Sequence, residues 1–528
     1  MSLRYSLPVA LLAVFALLPW RMSADAPAQP QELVVVYSPK QLTLDPAHIY
    51  TTMESELSTA LYEGLLSYHP LTLEPVLGVA SNWEVSSDLR RYRFVLREDA
   101  LYSNGDPVLA QDFRDSWMRA IDPKTQAEYS FLFDVIKGAR AFRNGQQAEV
   151  GIRVVSDRVL EVELEKPAGH FLKLLCHMAF SPLHSRYRQR QGWEADPYLI
   201  GNGPYFLAER SEGGLLLKRN RLYWDAKKVE LDAVRVRMMD DPAEVSREFN
   251  AGRVQWATTW DTEALEDRSK IIFHPLFATS YFYFVCASPP WNDARVRRAL
   301  ALLLPWSEIR SEDTLLPTSR LVPAIPGYPA QKGIEAADES EALELLAAAG
   351  YPEGKGLAEA VIKIPEGEDS QRVAQLMSKA WSGKLKLKVT VSSYPYEAYL
   401  KEVKKSDYTL GTVTWIGDYP DPLTFLQMWT SSSNLNDARF ADREFDELLD
   451  SSVSQEDEQR YAILGRAEAI LLEGAVVLPI NHGAAFALID LDRVEGWFPN
   501  VLNIHPFKYL RFHAARVPPG VALSSSAP

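Results

Sequence analysis

Cysteine is nearly missing from this chain of 528 residues, which carries only Cys176 and Cys286. Two distant thiols make no metal cluster. A single disulfide between them is open, and the sequence does not decide it. A basic excess is missing too: the net charge is −14, with no basic patch against it, which disfavours nucleic acid as a partner. After the N-terminal region no stretch approaches the ~20 apolar residues of a membrane-spanning helix. Catalytic signatures are also absent, with no His-Glu-x-x-His, no Gly-x-Ser-x-Gly, no Ser-x-x-Lys and no Walker loop. His170, His177 and His184 recur at a regular spacing, but Pro182 breaks any helix that would align them. Structural or surface roles are favoured over a metal site. No two acidic residues stand out as an acid–base pair. These absences point to binding rather than turnover.

What is present starts with the N-terminus. Arg4 precedes an apolar run over 7–18, followed by Ser23-Ala24-Asp25-Ala26-Pro27-Ala28. A basic start, a short apolar core and small residues at alternate positions predict a secretory signal peptide over 1–28, cleaved after Ala24 or Ala28. No cysteine lies there to take a lipid anchor, so an exported, soluble protein is expected. The remaining length exceeds one ordinary core and predicts two to four domains. A composition 47% hydrophobic and 24% charged is that of a folded globular chain.

Apolar periodicity predicts strands at 32–37, 92–96, 215–218, 233–239, 281–285, 361–364, 386–391 and 476–480. Helices are predicted at 54–66, 110–120, 294–304, 340–349, 371–381, 396–404 and 458–472. Strands alternating with helices mean α/β layering. No low-complexity linker separates the domains, so a hinge of several crossing strands is expected. A Pro-rich stretch over 317–329 reads as an ordered loop or a spacer.

The stretch Trp415-Ile416-Gly417-Asp418-Tyr419-Pro420-Asp421-Pro422 joins a strand to a helix. Asp421-Pro422 is a helix start, since Asp caps free amides and Pro loses no hydrogen bond in the first turn. That leaves a loop with an aromatic plate, a glycine and one carboxylate, suited to a cationic, partly apolar ligand. A plain core tryptophan and an Asx turn are the alternative.

The chain as a whole resembles the periplasmic solute-binding proteins of peptide/nickel-type ABC transporters, family 5, and among them the oligopeptide-binding branch. Leu44-Asp45-Pro46, Leu61-Tyr62-Glu63-Gly64-Leu65-Leu66 and Gly78-Val79-Ala80-Ser81-Asn82-Trp83-Glu84 follow its N-terminal pattern. Tyr92-Arg93-Phe94-Val95-Leu96-Arg97 and Ser103-Asn104-Gly105-Asp106-Pro107-Val108 follow its longest signature. Asn202-Gly203-Pro204-Tyr205, Tyr223-Trp224-Asp225 and Val296-Arg297-Arg298-Ala299-Leu300 come next in order, and the loop at 415–422 is similar to the family's Trp-x-x-Asp-Tyr-x-Asp-Pro.

The resemblance implies a two-lobed, three-domain α/β clamp of the periplasmic-binding-protein type II kind, with mixed sheets and a strand hinge. Lobe I would comprise 29–64, 182–277 and 488–516, with an inserted subdomain at 65–181. Lobe II would be 278–487, and 517–528 a frayed tail. Between the lobes a short extended peptide would lie as an added strand. Asp418 would hold its α-ammonium, Trp415 would cover its backbone and Gly417 would let it approach. Tyr129 and Tyr396 fall where the family has pocket aromatics, and Thr52, in the segment 50–53, where it has a strand that pairs with the peptide. Neither a cofactor nor a metal is implied. The expected protein is a periplasmic monomer, not an enzyme, with an inner-membrane ABC permease as its partner. A metal chelate, haem, glutathione or an oligosaccharide on the same fold is the alternative ligand, and an exported peptidase the more remote one.

The chain departs from the family at Ile416 and Ala278, where the best-known oligopeptide binders carry a disulfide. It departs again at Thr412, where some relatives present an arginine; Lys404 and Lys405 lie farther back.

Overall fold

The structure, a computed structural model, describes residues 31–39, 42–146, 149–188, 190–311, 316–455 and 457–513. The expected signal segment and tail lie outside these residues. One ten-stranded mixed sheet runs through the molecule. Its order is Val389–Tyr394, Ala360–Pro365, Leu410–Ile416, Ile271–Phe284, Val477–Ile489, Trp256–Ala257, Glu32–Tyr37, Ala233–Met238, Gly214–Arg219 and Tyr205–Ser211. Glu32–Tyr37 is β-branched and mostly buried, as suits a strand between two parallel partners, Ala233–Met238 and Trp256–Ala257.

Ile271–Phe284 and Val477–Ile489 are far longer than the segments 281–285 and 476–480 expected from sequence. Pro275 in one, and Asn481, His482 and Gly483 in the other, interrupt the apolar run. The strands continue through them because the ladder is bulged, with register shifts between Pro275 and Thr279 and between Ser280 and Tyr281. One end of this antiparallel pair lies beside Trp256–Ala257, and the other beside Leu410–Ile416. These two strands join the two halves of the sheet.

A four-stranded antiparallel sheet, ordered Ala80–Val85, Arg91–Leu96, Val159–Glu163 and Ile152–Ser156, stands apart from the large one. On the far half, Phe282, Phe284, Ile362 and Ile364 pack with Leu300, Trp306 and Trp381 from the helices into a separate core. The Pro-rich loop is ordered. The buried Glu468 carboxylate accepts the Leu321 and Val322 amides at 3.0 and 2.9 Å and the Tyr328 hydroxyl at 2.8 Å.

Thr52 does not lie on a strand. It is the first residue of the helix Thr52–Leu61, which begins there because Thr51 and Glu54 form a capping box. Cys176 and Cys286 are both free thiols. The three histidines go separate ways: His184 meets Asp106 at 2.9 Å, His177 faces Asp418, and His170 is buried beside Tyr419. No group of three potential metal ligands occurs among the described residues, and no helix there is long and apolar enough to cross a membrane.

The segment carrying the small sheet touches the far half of the large one. Arg140 meets Asp450 at 3.2 Å, and Arg143 donates to the Ser432 carbonyl at 3.1 Å. Asn434 donates to the carbonyls of Ala127 and Glu128, each at 2.9 Å.

Candidate functional site between the two halves

The loop after Leu410–Ile416 is shaped by its own sequence. Asp421 accepts the Leu423 amide at 2.9 Å, so the short helix Leu423–Leu426 starts at once. The other face of the Asp421 carboxylate takes a bidentate Arg460, at 2.6 and 2.7 Å. From that helix Thr424 reaches back. Its hydroxyl accepts the Asp418 amide at 2.9 Å and donates to Asp418 Oδ2 at 3.2 Å.

Across the gap, His177 Nε2 stands 3.7 Å from Asp418 Oδ1, and the Tyr68 hydroxyl donates to the Asp418 carbonyl at 3.0 Å. Tyr129 packs on His177 with ring centroids 4.6 Å apart. Burial, and then the charge of Asp418, push the Tyr129 phenol well above its ordinary pKa. The Asp418 side chain is 7% exposed and opens on a cavity of about 60 Å³ lined by Tyr68, His177, Ser58 and Thr59. Among the described residues no lysine or arginine pairs with it. The nearby Lys508 is taken by Glu63 at 3.0 Å. A carboxylate in so dry a place calls for a cation.

The strand leading to Asp418 has a free edge. Gly417 donates to the Phe277 carbonyl at 2.7 Å, so odd-numbered residues face Ile271–Phe284. The main-chain groups of Thr412, Thr414 and Ile416 therefore face the other way. On that side Leu410–Ile416 pairs with Ala360–Pro365 only at Leu410. Thr414 and Ile416 are left as a template for an added strand that would end at Asp418.

The remaining expected residues are placed unequally. Trp415 is buried at 4% exposure, its indole N–H without a partner among the described residues, and lines a second cavity of about 40 Å³. Gly417 is explained by packing: a Cβ there would lie 2.5 Å from the Phe277 ring. Tyr396 is 41% exposed at the start of the helix Tyr396–Glu402. Thr52 borders a different cavity, of about 310 Å³, with Tyr37, Glu56 and Trp256. The structure thus gathers Asp418 and Tyr129, with His177 beside both, and sets Thr52 and Tyr396 apart from that cavity.

Sequence reasoning missed Thr424, Tyr68 and Tyr399. Tyr399 had a signal: it lies one helical turn after Tyr396, and the inward-facing residue of that helix is the better pocket candidate.

The sequence profile of the bacterial extracellular solute-binding proteins, family 5 (middle region), matches residues 74–437. The oligopeptide-binding protein OppA of Bacillus subtilis is 29% identical over 438 residues, covering 77% of this chain and 79% of that protein. The murein tripeptide-binding protein MppA of Escherichia coli superimposes with a TM-score of 0.82 at 28% identity, over 92% of this chain and 99% of its own. Its unliganded open form gives 0.66 at 27% identity, over 92% and 98%. The poorer fit to an open form agrees with the contacts made here across the gap. These relatives are binding proteins, and the shared architecture is the two-lobed periplasmic-binding-protein type II clamp. The chain belongs to the bacterial extracellular solute-binding proteins of family 5.

Proposed function

We propose that the protein is an exported, periplasmic, non-catalytic receptor that captures short peptides between its lobes and hands them to an ABC permease of the inner membrane. Lobe I is assigned to 29–64, 182–277 and 488–516, with 65–181 as its inserted subdomain, and lobe II to 278–487. The observation that carries the reading is the free edge at Thr414 and Ile416 running into a buried carboxylate that has no lysine or arginine partner among the described residues. An extended peptide satisfies both features at once. Its main chain completes the ladder, and its α-ammonium supplies the counter-charge at Asp418 as a short, charge-assisted pair. Closure then removes water from that pair and shifts the population toward the closed form. Main-chain recognition tolerates varied side chains, consistent with relatives named for oligopeptides and a murein tripeptide.

Native mass spectrometry of the protein as isolated tests the proposal. A spread of peptide masses, released on denaturation, is expected. A single non-peptide mass, such as a metal chelate, haem or an oligosaccharide, overturns the peptide reading. New peptide termini on incubation with a peptide mixture overturn the non-catalytic one.

A further inference from the structure

The free edge of Leu410–Ile416 carries its own stop. The Thr412 amide donates to the Tyr399 hydroxyl at 2.8 Å, and the same hydroxyl donates to the Thr412 carbonyl at 2.6 Å. In an antiparallel ladder these are the two groups that one residue of an added strand engages. A single phenol, using both its proton and a lone pair, therefore fills one whole pairing position.

The phenol is firmly held. Tyr399 is 4% exposed, on the helix Tyr396–Glu402. It borders the 40 Å³ cavity with Tyr50, Tyr281, Tyr283, Thr412 and Trp415. Burial pushes its hydroxyl above the ordinary tyrosine pKa, so it stays a proton donor at neutral pH.

We propose that Tyr399 is a specificity-determining residue that limits how many ligand residues can pair with the cleft. The inference rests on the peptide reading above. A peptide with its ammonium at Asp418 runs antiparallel to Leu410–Ile416, passing Ile416 and then Thr414. At Thr412 it meets main-chain groups already taken. Because ladder contacts recur at every second residue, residues beyond roughly the fourth find no partner on this strand. The cleft accepts short chains by its backbone chemistry, independently of their side chains.

The test uses alanine peptides of two to six residues, with free amino termini and amidated carboxyl ends, titrated calorimetrically into the full mature protein and into Tyr399→Phe. The wild type is expected to bind more tightly up to about four residues and then level off. Tyr399→Phe frees the Thr412 groups but leaves the ring beside them, so Tyr399→Ala, which also clears the ring, is titrated alongside, and its affinity is expected to keep rising, by about threefold or more from four residues to six. Identical length profiles for the wild type and Tyr399→Ala overturn the stop, as does a wild-type profile that climbs through six residues. Amide exchange in the ligand-free proteins gives a second readout, with Thr412 expected to exchange faster in Tyr399→Phe; an unchanged rate also overturns the proposal. Failure of every peptide to bind the wild type instead brings down the peptide reading, and this inference with it.

Discussion

His177 presents Nε2 to Asp418 Oδ1 at 3.7 Å while its Nδ1 accepts the Ala179 amide at 3.2 Å. With Nδ1 used as an acceptor, the proton of the neutral ring is assigned to Nε2, the nitrogen facing the carboxylate. Asp418 is thus bonded by the Thr424 hydroxyl and faced by His177 Nε2, and among the described residues no lysine or arginine supplies its counter-charge.

Asp418→Ala is therefore expected to weaken peptide binding well beyond tenfold, by roughly thirtyfold or more, since truncating one member of a buried charged pair typically costs ~2–5 kcal/mol. Isothermal titration calorimetry, with circular dichroism to confirm the fold, checks this. An unchanged Kd removes the ammonium role.

Arg460 and Asp421 are each 5% exposed and joined by two hydrogen bonds. Arg460→Met strands the Asp421 carboxylate, which also caps Leu423. A loss of ~3–5 kcal/mol in urea unfolding is expected. Adding Asp421→Asn should recover part of it, because the stranded charge causes most of the damage.

Ala278 and Ile416 are direct partners across neighbouring antiparallel strands and pack with Leu276 and Ala485. Their pairing is of the non-hydrogen-bonded type, whose close Cα atoms suit a cross-strand disulfide. The double variant Ala278→Cys, Ile416→Cys is expected to oxidise and to gain about 2–4 kcal/mol. Thiol titration should still find Cys176 and Cys286 reduced; a titration showing four free thiols contradicts the geometry.

Burial raises the Glu56 carboxyl from an ordinary 4.5 to about 8, and Tyr37 donates to it. The folded state thus holds a proton that the unfolded chain releases. The stabilisation is complete below pH 4.5 and is lost as pH rises through about 8. His170, held down to about 4 by burial, has the opposite slope below its ordinary 6.5, while Glu468, raised to about 7 by burial, and His48, raised by its bond to Glu128, share the slope of Glu56 above it, so only the difference from Glu56→Gln isolates Glu56. From pH 6.5 to about 8 the wild type is expected to lose more stability than Glu56→Gln in parallel urea titrations. Equal losses would show that Glu56 ionises normally.

Much of the fold was legible because Val35, Val36, Ile362 and Ile364 are β-branched at buried positions, and because Asp421-Pro422 is a local helix start. The long strands were not legible as such. Pro275 and Gly483 read as terminators, and only pairing across the sheet carries the chain through them. At the site, Asp418 stood out as the one carboxylate beside Trp415 and Gly417. Thr424 and His177 did not, since their part depends on a turn and on a distant segment folding over it. Gly417 looked like an opening for ligand, yet the Phe277 ring fills the space beside it. Of Tyr396 and Tyr399, one turn apart on the same helix, only the packing of Tyr396–Glu402 against the sheet decides that Tyr399 points inward.

The bulged stretch of Ile271–Phe284 and Val477–Ile489 has a mechanical consequence. Halves woven from the same two strands cannot slide apart. The ladder that joins them is interrupted between Pro275 and Tyr281, where fewer cross-strand bonds resist bending. Ala278, opposite Ile416, lies inside that interval, so the binding edge is anchored to the flexing region itself. Any opening moves Thr414, Ile416 and Asp418 as one unit away from His177 and Tyr68, so a chain held as proposed would keep its ladder and counter-charge and lose its cover from the other half.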